Sequence, residues 1–170
     1  MPEAAASLAA RALSQIETAF ADRGPPTEMS DSKQLSAAEF DAVMSFAGLR
    51  WQDIGFDRIA VNADAIFWFA PAAFAYYLPG FLAAGLREDR TDSNAYDALL
   101  GVLDRSPEPD YWDDFFLPRW TLLSLDEIDA VRAWVRWLAA REPAAFTTIS
   151  VERIDGTLTL LQMHAADRAG

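Results

Sequence analysis

Catalysis in a small protein usually runs through a histidine, a cysteine, a metal cluster or a pair of carboxylates, and this chain is rich only in the last. It has one histidine, His164, close to Gly170. A Ser-His-Asp arrangement or an imidazole-held metal would have to pass through that residue. It stands where chains fray, so an exposed, idle side chain is expected. There is no cysteine, which removes thiolate nucleophiles, disulfides and Cys-held zinc together. No glycine-rich phosphate loop is present. Asp110-Tyr-Trp-Asp113-Asp114 lacks the alternating oxygen ligands and the central glycine of a calcium loop. Pairs such as Asp113 with Asp114, or Asp126 with Asp129, have the composition of a glycosidase dyad. With 26 acids in 170 residues, however, such pairs arise by chance and read as solvated faces and helix caps. No catalytic residue, metal or cofactor is expected.

What remains is the chemistry of contact. The net charge is −12, which disfavours nucleic acid and anionic membrane as partners, since both are held by clustered Lys and Arg. Between Glu88 and Asp129 twelve acids face three arginines, so most of the imbalance sits in one quarter of the chain. Six tryptophans are present, a residue type favoured as an interface anchor. Trp51, Trp68, Trp134 and Trp137 lie in apolar helical patterns and read as core. Trp112 and Trp120 stand among acids and prolines, where core and contact surface are both open readings. Asp110, Tyr111, Trp112, Asp113, Asp114 and Trp120 are therefore the candidate binding residues.

The elements that must position them are helical. Leu8, Ala12, Leu13, Ile16 and Phe20 form one stripe over residues 4–22, ended by Gly24-Pro25-Pro26. Ser36 and Glu39 make a capping box that opens a helix with Phe40, Val43, Met44 and Ala47 as its apolar face. Residues 51–66 read as a short helix plus a loop, with Ile59–Asn62 left open between strand, helix and loop. Tyr96, Leu99, Leu100 and Leu103 lie on one face of a further helix. Residues 110–123 read as an ordered loop with a helical turn. A second capping box, Ser124 with Glu127, starts the clearest helix, with Ile128, Val131, Val135 and Leu138 as its seam. Val151, Ile154, Leu158 and Leu161 repeat that seam in a last one.

Residues 65–86 carry no charge, a length that would qualify as a membrane span. Pro71, Pro79, Gly80 and Gly85 interrupt the run and no basic cluster flanks it, so a buried, proline-broken helix pair is expected. Pro71 suits a first helical turn, and Pro79 predicts a bend or break. Phe74, Tyr77, Leu78 and Phe81 share the buried stripe. Tyr77 is expected inside with its hydroxyl bonded, and Tyr76, about 100° away, is not.

The segment Ala70-Pro71-Ala-Ala-Phe74-Ala-Tyr76-Tyr77-Leu78-Pro79-Gly80-Phe81-Leu82 resembles the signature P-x-A-F-x-Y-Y-L-P-x-F-L. That signature belongs to a bacterial family of small helical proteins of unknown function. The family carries a basic residue before Tyr-Tyr, where this chain has Ala75. The resemblance implies a helical fold in which Pro71, Phe74, Tyr76, Tyr77, Leu78, Pro79 and Phe81 are structural, and it implies no activity.

The expectation is thus a cytoplasmic, all-α single domain of six to seven helices in one irregular orthogonal bundle spanning 1–170. The opening Met1-Pro-Glu-Ala has no basic n-region and Arg11 breaks its apolar stretch, so no leader is expected. The preference for Arg over Lys and the abundance of Ala match GC-rich bacterial coding. Functionally, the acidic, aromatic stretch suggests a non-enzymatic module that binds a basic protein, as an immunity or antitoxin protein does. The alternative is a small-molecule-binding or enzymatic domain with a pocket near Tyr76, Tyr77 and neighbouring tryptophans. Nothing in the sequence sets an oligomeric state.

Overall fold

Local side-chain chemistry decides where the helices begin. The computed structural model describes residues 2–170. Helix α1 spans Pro2–Ala19 and α2 spans Ala37–Met44. At Ser36 the hydroxyl accepts from the Glu39 amide while the Glu39 carboxylate accepts from the Ser36 amide, so both halves of the capping box form. After a 3-10 turn at Trp51–Asp53 come α3 (Phe56–Val61) and α4 (Ala65–Trp68). The open segment Ile59–Asn62 is therefore the end of a helix and its cap. Helix α5 (Pro71–Glu88) begins on Pro71, whose missing N–H is an orphan at that position in any helix. Helix α6 (Asn94–Leu103) is capped by Ser93. A 3-10 turn at Pro109–Tyr111 and α7 (Phe116–Trp120) follow. Helix α8 (Leu125–Arg141) opens on the complete Ser124–Glu127 capping box. A 3-10 turn at Pro143–Phe146 leads to α9 (Val151–Ala169).

Among the described residues the fold is all-α, with no strand. Seven helices have six or more residues, and α4 and α7 are one-turn pieces of four and five. Helix α5 occupies the centre, against α1, α3, α7 and the Trp51–Asp53 turn, while α1 lies along α8 and α8 packs on α9. One core runs from Ala12 on α1 to Ala165 on α9. Every residue of α5 from Ala73 to Leu86 is buried, as expected of a helix with no polar face. No helix among the described residues is long and apolar enough to cross a membrane.

Two glycines let neighbours reach α5. A Cβ on Gly80 would lie 2.9 Å from the Trp51 carbonyl oxygen, so only glycine admits the 51–53 turn. A Cβ on Gly85 would meet the Tyr96 hydroxyl, and the Arg90 carbonyl at 2.6 Å. The Tyr96 hydroxyl donates to Phe81 O (2.7 Å) and accepts from Gly85 N (2.9 Å). It thus bridges the carbonyl and amide that an α-helix ordinarily pairs directly. Burial pushes that phenol well above its ordinary pKa.

Three expectations need correction. Helix α5 is continuous through Pro79, and the break in the helix pair falls at Phe69–Ala70 instead. There Ala70 donates to Met29 O, and the buried Arg119 guanidinium donates to Phe69 O. Second, α2 buries Val43 and the following Phe46, and leaves Ala47 and Met44 exposed and Phe40 at 53% exposure. Third, Tyr76 is also buried, at 5% exposure, because α5 has no solvent side for it to face.

Candidate functional site

The acidic segment is built on a column of rings. Trp112 packs edge-on against Phe116 (4.9 Å between centroids) and Phe116 stacks on Trp120 (5.8 Å). Trp120 in turn meets Phe74 of α5 at 5.1 Å. Trp112 also donates from Nε1 to Ser106 O at 3.1 Å. The two tryptophans are therefore 7% and 1% exposed, and the contact-surface reading of Trp112 and Trp120 is overturned. In this segment the rings point inward and the acids outward.

Charge then clamps the segment. The Asp113 carboxylate accepts from the Phe116 amide at 2.9 Å, capping α7, and from Arg105 at 3.1 Å. These contacts, the amide above all, hold Asp113 below the usual carboxylate range. The Arg105 guanidinium lies over the Phe116 ring, 4.4 Å from its centroid. Asp110 and Asp114 are exposed, as is Glu108, and none of the three is in an ion pair among the described residues. Between them Tyr111 stands on its 3-10 turn at 73% exposure, the most exposed aromatic side chain among the described residues. The fold leaves Asp110, Tyr111 and Asp114 exposed at the surface and takes Trp112, Asp113 and Trp120 for structure.

Five of the other acids between Glu88 and Asp129 are held in ion pairs. Asp89 pairs with Arg141, Asp92 with Arg90, Asp104 with Arg153 and Asp129 with Arg132. Buried Glu127 accepts from Arg23 Nε and Nη2 at 2.7 and 2.6 Å, tying the loop after α1 to the start of α8. No local signal could have revealed that pair, whose members are 104 residues apart.

The signature residues lie in the core. Phe74, Leu78, Pro79 and Phe81 are buried, and the Tyr77 hydroxyl donates to Phe46 O (2.8 Å) and Leu49 O (3.2 Å). Tyr76 and Tyr77 also form one wall of a cavity of about 410 Å³, closed by Arg23, Pro25, Met29 and Arg50. No tryptophan lines it. Arg23 is spent on Glu127, whereas Arg50 is largely solvent-exposed and 3.9 Å from Asp53. His164 is exposed on α9. Among the described residues no group of three or more His, Asp and Glu could hold a metal ion.

No family model matches the chain, and neither does any curated protein or solved structure.

Proposed function

We propose that this protein is a non-enzymatic binding module that captures a basic protein through its acidic segment, in the manner of immunity and antitoxin proteins. The observation that carries the reading is Tyr111, exposed at 73% between the free carboxylates of Asp110 and Asp114. Tyrosine offers a large, rigid, amphipathic contact at small entropic cost. Its backbone is already held in the 3-10 turn by the Tyr111 amide bond to Glu108 O and the Trp112 amide bond to Pro109 O, so little ordering remains to be done on binding. Surrounding acids would speed encounter with a basic partner, and the ring would slow dissociation. Membership of the signature family, proposed from Pro71–Leu82, adds a fold to this reading and no activity.

Affinity capture from the source cells tests it, comparing the wild-type protein with Tyr111→Ala and with Asp110→Lys/Asp114→Lys. The expected result is one strongly basic protein retained by the wild type at low salt and lost from both variants. Since exposed charges are screened beyond about 0.15 M salt, the charge-reversal loss should shrink as salt rises. Equal retention by all three proteins would sink the proposal.

The cavity at Tyr76 and Tyr77 favours a second reading, a small-molecule site with the exposed Arg50, only loosely paired with Asp53, as its cation. At about 410 Å³ it falls within the size range of ligand pockets. A small-anion library that raises the melting temperature of the wild type, and not of Arg50→Gln or Tyr76→Phe, would support it. No hit, or hits indifferent to both substitutions, would remove it.

A further inference from the structure

In a chain with 26 acids and 14 cations, an unpaired carboxylate is what arithmetic predicts. An unpaired guanidinium is not. Eight of the thirteen arginines lie within ion-pair distance of a carboxylate. Three more, Arg58, Arg87 and Arg168, donate to backbone carbonyls. Among the described residues only Arg11 and Arg136 do neither, and both are exposed.

These two line the same cleft, a cavity of about 280 Å³ between α1 and α8. Arg11 and Gln15 come from α1, and Asp129, Arg132 and Arg136 from α8. Residues four apart on a helix share a face, so Arg11 with Gln15 and Arg132 with Arg136 form its two walls. The cleft's own charges are otherwise spent. Arg132 binds Asp155 and Gln162, and Asp129 accepts from Gln162 at 2.8 Å. Asp129 lies within ion-pair distance of Arg132, at 3.7 Å, and of neither free arginine. Two uncompensated positive charges therefore face one small space in a strongly negative protein.

We propose that the α1–α8 cleft is a binding site for a small phosphate-bearing anion, taken up between the Arg11 and Arg136 guanidiniums with Gln15 as a neutral donor. The planar guanidinium fork matches two phosphate oxygens at once, and two forks from opposite walls suit a dianion better than a single carboxylate. Apolar lining is limited to Leu8 and Ala133, which leaves little to bind a large hydrophobic body. A phosphate on a short polar skeleton, or inorganic phosphate itself, is the class that fits.

Titration followed by ³¹P NMR and calorimetry tests this on the full chain, with inorganic phosphate, glycerol phosphate and succinate as separate probes. Saturable binding of either phosphate at up to millimolar concentration is expected, with succinate much weaker. Tighter binding of glycerol phosphate would identify an ester as the ligand, and equal or weaker binding would identify free phosphate. Arg11→Gln and Arg136→Gln should each weaken binding roughly 10- to 100-fold, the range for losing a charge-assisted contact. Arg136→Lys should fall between wild type and Arg136→Gln, because the charge stays and the fork goes. Lys33→Gln, another exposed cation, should change nothing. Both arginines are exposed, so circular dichroism should show all variants folded. Absence of saturable phosphate binding, succinate binding as tight as phosphate, or undiminished binding by an Arg11→Gln/Arg136→Gln double variant would each overturn the proposal.

Discussion

Helix α5 and the acidic segment at 105–120 are both rich in aromatic rings, and they satisfy those rings in opposite ways. On α5 the neighbours are largely apolar, and the Tyr77 and Tyr96 hydroxyls are paired with backbone groups. In the acidic segment the neighbours are carboxylates and prolines, yet Trp112, Phe116 and Trp120 still turn inward and join the column that ends on Phe74. The carboxylates become the outer layer, some clamped by arginine and some free. Burial of a ring is therefore decided by which side of its turn faces the core, and not by the charge of its neighbours along the chain.

The two regions meet at Phe74, and losing that ring should do the most damage. Phe74→Ala should cost about 3–5 kcal/mol, the range for large aromatic core truncations. Trp112→Ala should approach the lower end of that range if the segment is core. A denaturant melt showing less than about 1 kcal/mol for Trp112→Ala would restore it to the surface. Gly85→Ala should cost about 1–3 kcal/mol by overpacking against the Tyr96 hydroxyl and the Arg90 carbonyl. A neutral result there would mean that the close approach is not maintained in solution.

Alkaline pH separates the regions in another way. Burial raises the Tyr96 pKa far above the ordinary phenol value, and burial together with Tyr76 raises that of Tyr77. The folded chain thus keeps protons that the unfolded chain releases near pH 10. Stability from these groups should be fully present below that pH and decline as pH rises through and beyond it. Urea midpoints that stay flat to pH 11 would contradict this.

Smaller effects sharpen the picture. Tyr77→Phe removes a buried hydroxyl bond to Phe46 O, which keeps the Leu49 amide as a donor, and should cost about 1 kcal/mol, whereas Tyr76→Phe should cost less than about 0.5 kcal/mol. Equal losses at the two positions would show that the hydroxyl bonds are not what distinguishes them. Tyr111→Ala should leave stability within about 0.5 kcal/mol, as exposed substitutions do, while removing any partner. A large loss of stability at Tyr111 would make it structural and end its candidacy as a contact residue.

Features written in local spacing were legible. Both capping boxes, the Pro71 start and the α8 seam depend on residues within a turn or two of each other, and all form. The α2 face was not, because an eight-residue helix offers two apolar stripes and its tertiary neighbours chose Val43 and Phe46 over Phe40 and Met44. Tyr76 failed for a related reason. Amphipathic logic presumes a solvent side, and the uncharged run at 65–86 already signalled a helix without one. In the acidic segment a 3-10 turn and a five-residue helix break the regular period, so inward and outward positions could not be assigned by counting. The Arg11–Arg136 cleft needs two helices brought together from opposite ends of the sequence, and only the fold does that.

The pairing of α1 with α8 also has a consequence for synthesis on the ribosome. Arg23 leaves the exit tunnel 104 residues ahead of Glu127, which binds it, and α1 must wait equally long for the helix it lies along. The uncharged run at 65–86 emerges during that interval, before α7, which packs on it, exists and before α8 can hold α1 in place. At about 5–20 residues per second the wait lasts roughly 5–20 s, long enough for the nascent chain to engage a chaperone. The helix that ends as the best-protected part of the molecule is, while the protein is being made, the part most in need of shelter.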